Sequence, residues 1–522
     1  MRRYYAAIGI LPSATLDERI RGLFYSGAIY DCDPERMGTL GERRMRQMSS
    51  DIRSNADWLE TIHDADTRAS WAVEAKAMGL TDVEFAYVLD ELEYYTSLYL
   101  PGSNVRFSAA DGVWFSDTLI DVEATSELRD YAAILESLCL QTGTSPQAAL
   151  KLVEVGEFPG SLDEWRKALT VTETGESVYY IPTWNEFYGC YSSDKFSWLP
   201  SEFRVDDNGD VTIESYIKNL HPIKHAALYP IIASIFSKFL PLLEQVVADL
   251  VCPRQPRVKP DRSKYYESDE PLPESDNDDY FEEIILWRRR ATFVHPQPEP
   301  FVAPARPVNP YKLCGRRLQA VVKISSIELT SERPIYSGED WSVVGLANER
   351  IIATGMFFYG VVNIAPANVR FREALSSLDI ESKNNWGEED LASQELGSVV
   401  IKDGRCVVFP NIYQYEVPEL KLADKTQSGH CKMLTFYFVD PSTRIPSTEI
   451  VPPQQQDWYF EDILASEPFR SLPQLVVEGI LAKVDFPISL KEAKKLRLQV
   501  HQDIDSEDLA SDLFEPVALF RA

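Results

Sequence analysis

The chain has 522 residues and is 44% hydrophobic, which is enough for two or three packed layers around at least one large core. Its formal charge of -29, from 52 basic and 81 acidic residues, repels phosphate backbones and anionic lipid surfaces. This composition argues against a nucleic acid or a membrane as a partner and favours a solvated acidic surface.

Cysteine usage and the N-terminus indicate the compartment. The seven cysteines are odd in number, widely spaced and never arranged as Cys-x-x-Cys, which fits reduced thiols in an intracellular protein. The apolar run after Met1-Arg2-Arg3 is short and ends at Pro12, so it resembles a secretory signal only weakly. No stretch is expected to span a bilayer. We therefore expect a cytoplasmic protein.

The first third of the chain predicts an arm followed by helices. Residues 1–50 are polar and irregular, so we expect an arm laid on the body. Apolar residues recur at helical spacing over 57–100, which predicts at least two amphipathic helices. Further helices are predicted over 126–139 and 145–153, the second because Ser145-Pro146 resembles an N-cap followed by proline.

The middle of the chain changes from strands to helix. Aromatic, strand-prone runs and the turn sequence Asp206-Asp207-Asn208-Gly209 predict hairpins within 178–217. A long apolar segment over 220–251 predicts a helix. Pro230 and Pro241 are expected to kink or divide it.

The last half contains the strand-rich part. Proline and acidic runs over 253–309 predict a linker or a long ordered excursion, with one helical island at 282–290. Strands are predicted from 318 to 440. The capping-box sequence at 489–492 predicts a helix over 493–502.

Several phrases resemble a fungal domain family of unknown function, whose core is similar to the double-stranded β-helix of the Fe(II)/2-oxoglutarate oxygenases. The resemblance spans residues 50–460, and so covers most of the chain. The phrases that carry it are Phe196-Ser197-Trp198-Leu199-Pro200, Ser215-Tyr216-Ile217-Lys218-Asn219-Leu220-His221-Pro222, 318–330, 341–359, Phe409-Pro410-Asn411 and 421–441.

The resemblance implies an α+β fold. Its centre is expected to be a jelly-roll (double-stranded β-helix, cupin-like) core flanked by an α-helical N-terminal region and C-terminal helices. The expected parts are an N-terminal arm (1–50), a mainly helical region packed on the core (51–252), an acidic Pro-rich excursion (253–310), the jelly-roll core (311–450) and a C-terminal helical extension (451–522).

The resemblance also implies which residues stand at the iron site. In such folds a His-x-Asp/Glu pair on one strand and a later His form a facial triad, and an Arg holds the far carboxylate of the co-substrate. The family pattern reads Trp-His-x-Glu-Gly, then Phe-Pro-Asn with a later His, then Gly-His-Arg-Lys. At the four ligand positions this chain has Ser342, Val344, Tyr415 and Cys431. We therefore expect no metal and no cofactor.

The six histidines offer no better metal site. His501-Gln502-Asp503 lies in a charged C-terminal segment with no later His. His221 and His225 share a helical face, but they lack a Glu between them and a third ligand. His430 survives from the family pattern, and alone it is more often structural than catalytic. Phosphate-loop and nucleophile-elbow patterns are also missing.

Loss of charged ligands leaves the make-up of a small-molecule pocket, with apolar walls and sparse hydrogen-bonding groups. Ser342 and Tyr415 are the candidate catalytic residues, as donors to a substrate carbonyl or, for Tyr415, as a general acid. The candidate substrate-binding residues are Trp341, Val344, Phe357, Tyr359, Tyr413 and Cys431, whose inward or outward direction depends on strand register.

These observations favour a metal-independent, non-redox enzyme of fungal secondary metabolism. It would cyclise or isomerise a hydrophobic natural-product intermediate, with a pericyclic step such as a Diels-Alder reaction among the candidates, by holding the substrate in a near-attack conformer. Two alternatives stay open. One is a catalytically inactive pseudo-oxygenase that binds a metabolite or forms a homodimer or a heterodimer with a paralogue. The other is an Fe(II)/2-oxoglutarate oxygenase with atypical ligands.

Overall fold

The structure is a computed structural model. It describes residues 40–55, 57–99, 104–141, 150–153, 159–161, 196–252, 257–258, 266–273, 280–294, 297–304, 311–339, 341–345, 349–374, 393–455, 458–459, 466–467 and 469–481. The predicted arm up to residue 39, the N-cap at Ser145, the predicted capping box at 489–492 and His501 lie outside the described residues.

Helices dominate the described residues before the first long strand, and local caps begin two of them. Asp64 accepts a hydrogen bond from the Thr67 amide, and Thr81 with Glu84 forms a capping box. The helices are α1 (Leu40–Ser54), α2 (Trp58–Thr61), α3 (Ala65–Ala77), α4 (Asp82–Ser97), α5 (Val122–Gln141), α6 (Leu228–Val251), α7 (Tyr280–Arg290) and α8 (Gln474–Leu481), with a 3-10 turn at Phe469–Ser471.

The described residues contain eighteen strands. Those before residue 300 are short: β1 (Arg106–Phe107), β2 (Trp114–Ser116), β3 (Leu150–Val153), β4 (Pro159–Ser161), β5 (Phe196–Trp198), β6 (Ser201–Val205), β7 (Val211–Ile213), β8 (Tyr266–Glu267) and β9 (Thr292–Phe293). The later ones are β10 (Arg317–Leu329), β11 (Ile335–Tyr336), β12 (Ile351–Val362), β13 (Asn368–Ala374), β14 (Ser393–Val400), β15 (Cys406–Pro410), β16 (Gln414–Glu416), β17 (Leu420–Lys421) and β18 (Gly429–Val439).

The strands form one large and several small antiparallel sheets. The main sheet has the order β1-β2-β15-β12-β18-β10-β6-β7, with β3 also paired to β10. A smaller sheet has the order β14-β13-β16, and β11 pairs with β17. The protein is therefore a mixed α/β fold with a large antiparallel sheet, and strands from the predicted helical region of 51–252 belong to that same sheet.

The main sheet separates two apolar cores, because successive side chains of a strand point to opposite faces. On β10, Ala320, Val322 and Ile324 face a core shared with α5 and α6, which we call the helix core. Val321 and Ile327 face a core shared with the smaller sheet, which we call the inter-sheet core. The inter-sheet core contains three of the candidate site residues, Val344, Tyr415 and Cys431.

A third core joins α1, α3 and α4 around Met45, Met48 and Trp71. A buried ionic network lies beside it. Arg53 pairs with Asp111 at 2.8 Å, and Arg257 contacts Asp111 at 3.0 Å and Glu91 at 2.8 Å. Burial opposes ionisation of Asp111, but Arg257, Arg53 and Arg46 outweigh it and hold the pKa of this carboxyl well below its usual range.

Two local predictions in the first third of the chain differ from the structure. Residues 40–50 belong to α1 and not to an irregular arm, because Met45, Met48 and Ile52 recur on one helical face that packs into the third core. Leu150–Val153 is a strand and not part of a helix, since its backbone pairs with β10 from Ile324 to Ile327.

The long apolar helix also differs from its prediction. It begins at Leu228 and continues through Pro241, so it is not divided there; Pro230 lies in its first turn, where proline is tolerated. Contrary to expectation, Leu228–Val251 is long and apolar enough to cross a membrane by length and composition. Most of its apolar side chains are instead buried in the helix core.

Candidate functional site

A cavity opens into the inter-sheet core beside Tyr415. It has a volume of about 20 Å³, enough for about one water molecule. Tyr415 and Val417 line it from the smaller sheet and the chain that follows, and Glu339, which is exposed, lies at its mouth. The residues that line it from the main sheet are Lys323, Ser325, Met356, Met433, Thr435 and Tyr437.

Tyr415 is held by aromatic packing and by the backbone. Its ring lies 5.2 Å from the ring of Phe409, which in turn lies 4.9 Å from the ring of Phe371. Its strand β16 pairs with β13, where Tyr415 is opposite Phe371. Only 7% of Tyr415 is exposed. Tyr415 therefore lines the cavity from within a buried aromatic cluster.

Ser342 and Val344 adjoin this position through the backbone. Ser342 and Tyr415 exchange two backbone hydrogen bonds of 3.1 and 3.0 Å, so their side chains lie on the same face of the sheet. Ser342 is exposed, however, and does not line the cavity. Val344 is buried in the inter-sheet core, and its backbone is held by both ends of the Asn411 amide, at 3.2 and 2.8 Å.

Cys431 lies in the same core, although it too does not line the cavity. It is opposite Ile327 of the neighbouring strand β10 and is 1% exposed. Burial raises the pKa of its thiol to about 12, with a smaller contribution from Asp403, so the thiol is neutral at pH 7. The structure thus brings Val344, Tyr415 and Cys431 into one core, with Ser342 at the edge beside Tyr415.

Trp341 and Tyr413 lie outside the cavity lining, although Tyr413 packs against the inter-sheet core. The Trp341 ring is flanked by the guanidinium carbons of Arg370 at 5.1 Å and Arg372 at 4.5 Å, a cation-π arrangement outside the cavity lining. The Tyr413 hydroxyl packs against Gly112, where an added Cβ would lie only 3.0 Å from it. Neither side chain lines the cavity.

Phe357 and Tyr359 belong to the helix core, on the opposite face of the main sheet from Tyr415. Their even-numbered neighbours Met356 and Phe358 face the inter-sheet core instead. The structure therefore does not bring Phe357 and Tyr359 together with the other candidate site residues. The Tyr359 hydroxyl is buried without a hydrogen-bond partner in the described chain, and burial and the neighbouring Glu136 raise its pKa.

Two titratable residues of the cavity lining, Lys323 and Glu339, were not predicted as site residues from the sequence. Lys323 and Glu339 place an amine and a carboxylate at the same cavity as the Tyr415 phenol. The sequence did contain one indication of this site. Lys323 is a charged residue in a strand-forming run, and Val321 and Ser325, its neighbours on the same face of β10, are buried. Tyr437 was also missed; its ring stacks on Trp198 at 5.3 Å, which gives the Phe196-Ser197-Trp198 phrase a supporting role.

An Fe(II) ion with 2-oxoglutarate does not fit these residues. The lining offers one carboxylate, Glu339, and no imidazole, whereas Fe(II) sites of this kind use two His and one carboxylate. Within the described ranges, no group of three or more His, Cys, Asp or Glu is placed to hold a metal ion. His221 instead packs its ring 4.8 Å from Trp458.

Comparison with known proteins gives a family and distant likenesses. The model of the family described as "Protein of unknown function (DUF4246)" matches residues 82–462, so the chain belongs to this family. No curated protein matches it.

Three solved structures are similar over parts of the chain. A bsmA homolog from Methylobium petroleophilum PM1 (10% identity, TM-score 0.16) covers 24% of this chain and 41% of its own. IDO from Bacillus thuringiensis (12%, TM-score 0.15) covers 24% of this chain and 47% of its own. The match with the Fe(II)/(alpha)ketoglutarate-dependent dioxygenase TqaL (11% identity, TM-score 0.20) covers 63% of this chain and 94% of that protein. This chain thus spans less than half the length of the first two.

Proposed function

We propose, from the lining of the inter-sheet cavity in a member of this family of unknown function, that the protein is a metal-independent, non-redox enzyme. It binds a small, largely apolar molecule between the two sheets and isomerises or cyclises it. The observation that carries the proposal is one cavity that is lined by Tyr415, Lys323 and Glu339 together with apolar and hydroxyl-bearing side chains. In this proposal the two sheets are a variant of the double-stranded β-helix.

The lining supports acid–base chemistry on a carbonyl compound. A hydrogen bond from Tyr415 to a substrate carbonyl would stabilise charge developing on that oxygen, a contribution of roughly 3 kcal/mol for oxyanion donors. Glu339 would accept a proton from the adjacent carbon and return it to another carbon. Among the other lining residues, Val417, Met356 and Met433 are apolar and suit an apolar substrate, whereas Ser325, Thr435 and Tyr437 add hydroxyl groups.

The cavity must widen to admit a substrate, because a volume of about 20 Å³ holds little more than a water molecule. Two of the seven methionines, Met356 and Met433, form part of its wall. Methionine side chains are unbranched and repack easily. We therefore expect the substrate to enter by rotation of these two side chains, with the backbone of the sheets in place.

The small volume also favours a second candidate, a catalytically inactive protein that binds a metabolite or pairs with a paralogue. The enzyme and the metabolite-binding protein place a ligand in the same cavity, whereas pairing with a paralogue requires none. They differ in turnover: an enzyme converts the ligand in the presence of EDTA, whereas a binding protein returns it unchanged.

The proposal predicts that small ring-containing ketones and alcohols bind to the cavity. In ligand-observed NMR with such a fragment set, Tyr415→Phe should weaken the bound fragments about tenfold, since one lost hydrogen bond corresponds to about 1.4 kcal/mol. Val417→Trp should abolish binding by filling the cavity, and Ser342→Ala should change it little because Ser342 is exposed.

Matched controls distinguish the cavity from the surface. Tyr99→Phe and Val73→Trp alter exposed side chains outside the cavity and should leave fragment binding as in the wild type. Fragments that bind equally well to the Val417→Trp variant would occupy another site, and the proposal would then be abandoned.

A further inference from the structure

Lys218 is a buried amine that has no counter-charge among the residues that the structure describes. It is 3% exposed, and its Nζ donates a hydrogen bond of 2.5 Å to Gln454 Oε1. No carboxylate of the described chain lies within ion-pair distance of it. Burial is the single cause that lowers the pKa of Lys218 to about 7, so its neutral form is stabilised.

Gln454 belongs to a segment that lies over the chain around Lys218. We call residues 447–455 with 458–459 the Gln454 strap. Tyr216 donates to the Val451 carbonyl at 3.0 Å, and the Thr448 hydroxyl donates to the Tyr216 carbonyl at 2.6 Å. The strap therefore docks on the 215–221 segment chiefly through neutral polar contacts.

The far end of the strap completes the cover. Gln455 donates to the Asn219 side chain, and the Trp458 ring lies 5.9 Å from the ring of Tyr216 and 4.8 Å from that of His221. Asn219 itself adopts a left-handed backbone conformation, with φ of 62°. Lys218 is thus enclosed by the strap on one side and by its own segment on the other.

Among the described residues, no titratable group forms an ion pair with Lys218. Burial is the cause that lowers its pKa. Burial raises the pKa of Tyr216 and of Tyr229, the latter to about 12, so both phenols stay neutral above pH 7. The other titratable groups of residues 214–225 and of the described strap are Glu214, His221, Lys224, His225, Glu449 and Tyr459.

Burying an ammonium group without a partner is costly, whereas the neutral amine fits the site. We propose that docking of the Gln454 strap is coupled to loss of a proton from Lys218, which makes the strap a pH-sensitive cover. Lifting the strap exposes the amine to water, where it takes up a proton. This inference is independent of the activity proposed for the inter-sheet cavity.

The linkage has a defined sign and window. Between the pKa of about 7 with the strap docked and the ordinary value of 10.5, the lifted state binds one more proton than the docked state. Lifting therefore becomes about tenfold less favourable for each pH unit of increase in this window. Below the lower pKa both states are protonated, and the dependence ends.

Hydrogen exchange of the strap in the full chain tests the proposal. After correction for intrinsic exchange, strap protection in the wild type should rise by up to about 100-fold between pH 7 and pH 9. Lys218→Met, which is always neutral, should protect the strap at least about tenfold more than the wild type at pH 7 and remove the pH dependence. Lys218→Arg should leave the strap weakly protected at both pH values.

Lys224→Met is the matched control, because it removes an exposed lysine that lies shortly after the 215–221 segment. It should reproduce the wild-type pH dependence. If the wild-type strap shows the same corrected protection at pH 7 and pH 9, or if the Lys218→Met variant retains the wild-type pH dependence, Lys218 does not control docking. The Met variant decides the matter even where the Arg variant does not fold.

Discussion

Replacing Asp111 with asparagine is expected to lower the free energy of unfolding by about 3–5 kcal/mol, the cost of removing one charged partner from a buried ion-pair network. Asp111 accepts hydrogen bonds from Arg53 at 2.8 Å, Arg257 at 3.0 Å and Tyr95 at 2.9 Å. Arg53 and Arg257 are almost fully buried, so water cannot replace the lost carboxylate. Urea unfolding of both proteins measures the difference.

The same network predicts how this difference depends on pH. Because the folded-state pKa of Asp111 is depressed, its contribution is complete above the unfolded pKa of about 3.9 and is lost as the pH falls below that value. The stabilities of the wild type and Asp111→Asn should therefore converge in acid. Asp130→Asn, an exposed aspartate in α5, should stay within about 0.5 kcal/mol of the wild type. A similarly small change in Asp111→Asn would mean that the network is not stabilising.

Replacing Phe239 with alanine is expected to cost about 3–5 kcal/mol, because it removes a fully buried ring between α6 and the main sheet. The ring lies 5.3 Å from that of Phe436 and so close to Gly355 that an added Cβ there would lie 2.9 Å away. This close approach leaves little room for the structure to collapse into the cavity. Thermal and urea unfolding provide the measurement.

Lys238→Ala is the control for this prediction, since Lys238 is the exposed neighbour of Phe239 on the same helix. It should change stability by less than about 0.5 kcal/mol. A loss in Phe239→Ala no larger than that of the control would show that α6 does not pack on the sheet as described.

Much of the strand pattern and the position of Tyr415 could be predicted from the sequence. Alternating apolar residues predicted the strands after residue 318, and the phrase around Phe409 led to a tyrosine that lines the cavity. The face of the sheet to which the Phe357 and Tyr359 side chains point could not be predicted from the sequence. It depends on which face of β12 meets a helix and on a register shift between Phe358 and Gly360.

Other features could not be read because they assemble from distant parts of the chain. The ionic network joins Arg53, Asp111 and Arg257, which no local pattern connects. Likewise, Lys323 and Glu339 become neighbours of Tyr415 only when the two sheets pack. Lys218 stood within a family phrase, but its lack of a counter-charge becomes visible only once Gln454 covers it.

The claim that this pocket acts without iron is tested most directly by anaerobic addition of Fe(II) and 2-oxoglutarate to protein purified without chelator. Metal content is measured by mass spectrometry, and the charge-transfer absorption of a ternary complex is followed. We predict iron well below one equivalent and no absorption band. One equivalent of iron, with a band that is lost in Glu339→Gln or Tyr415→Phe, would contradict the account and indicate an oxygenase with atypical ligands.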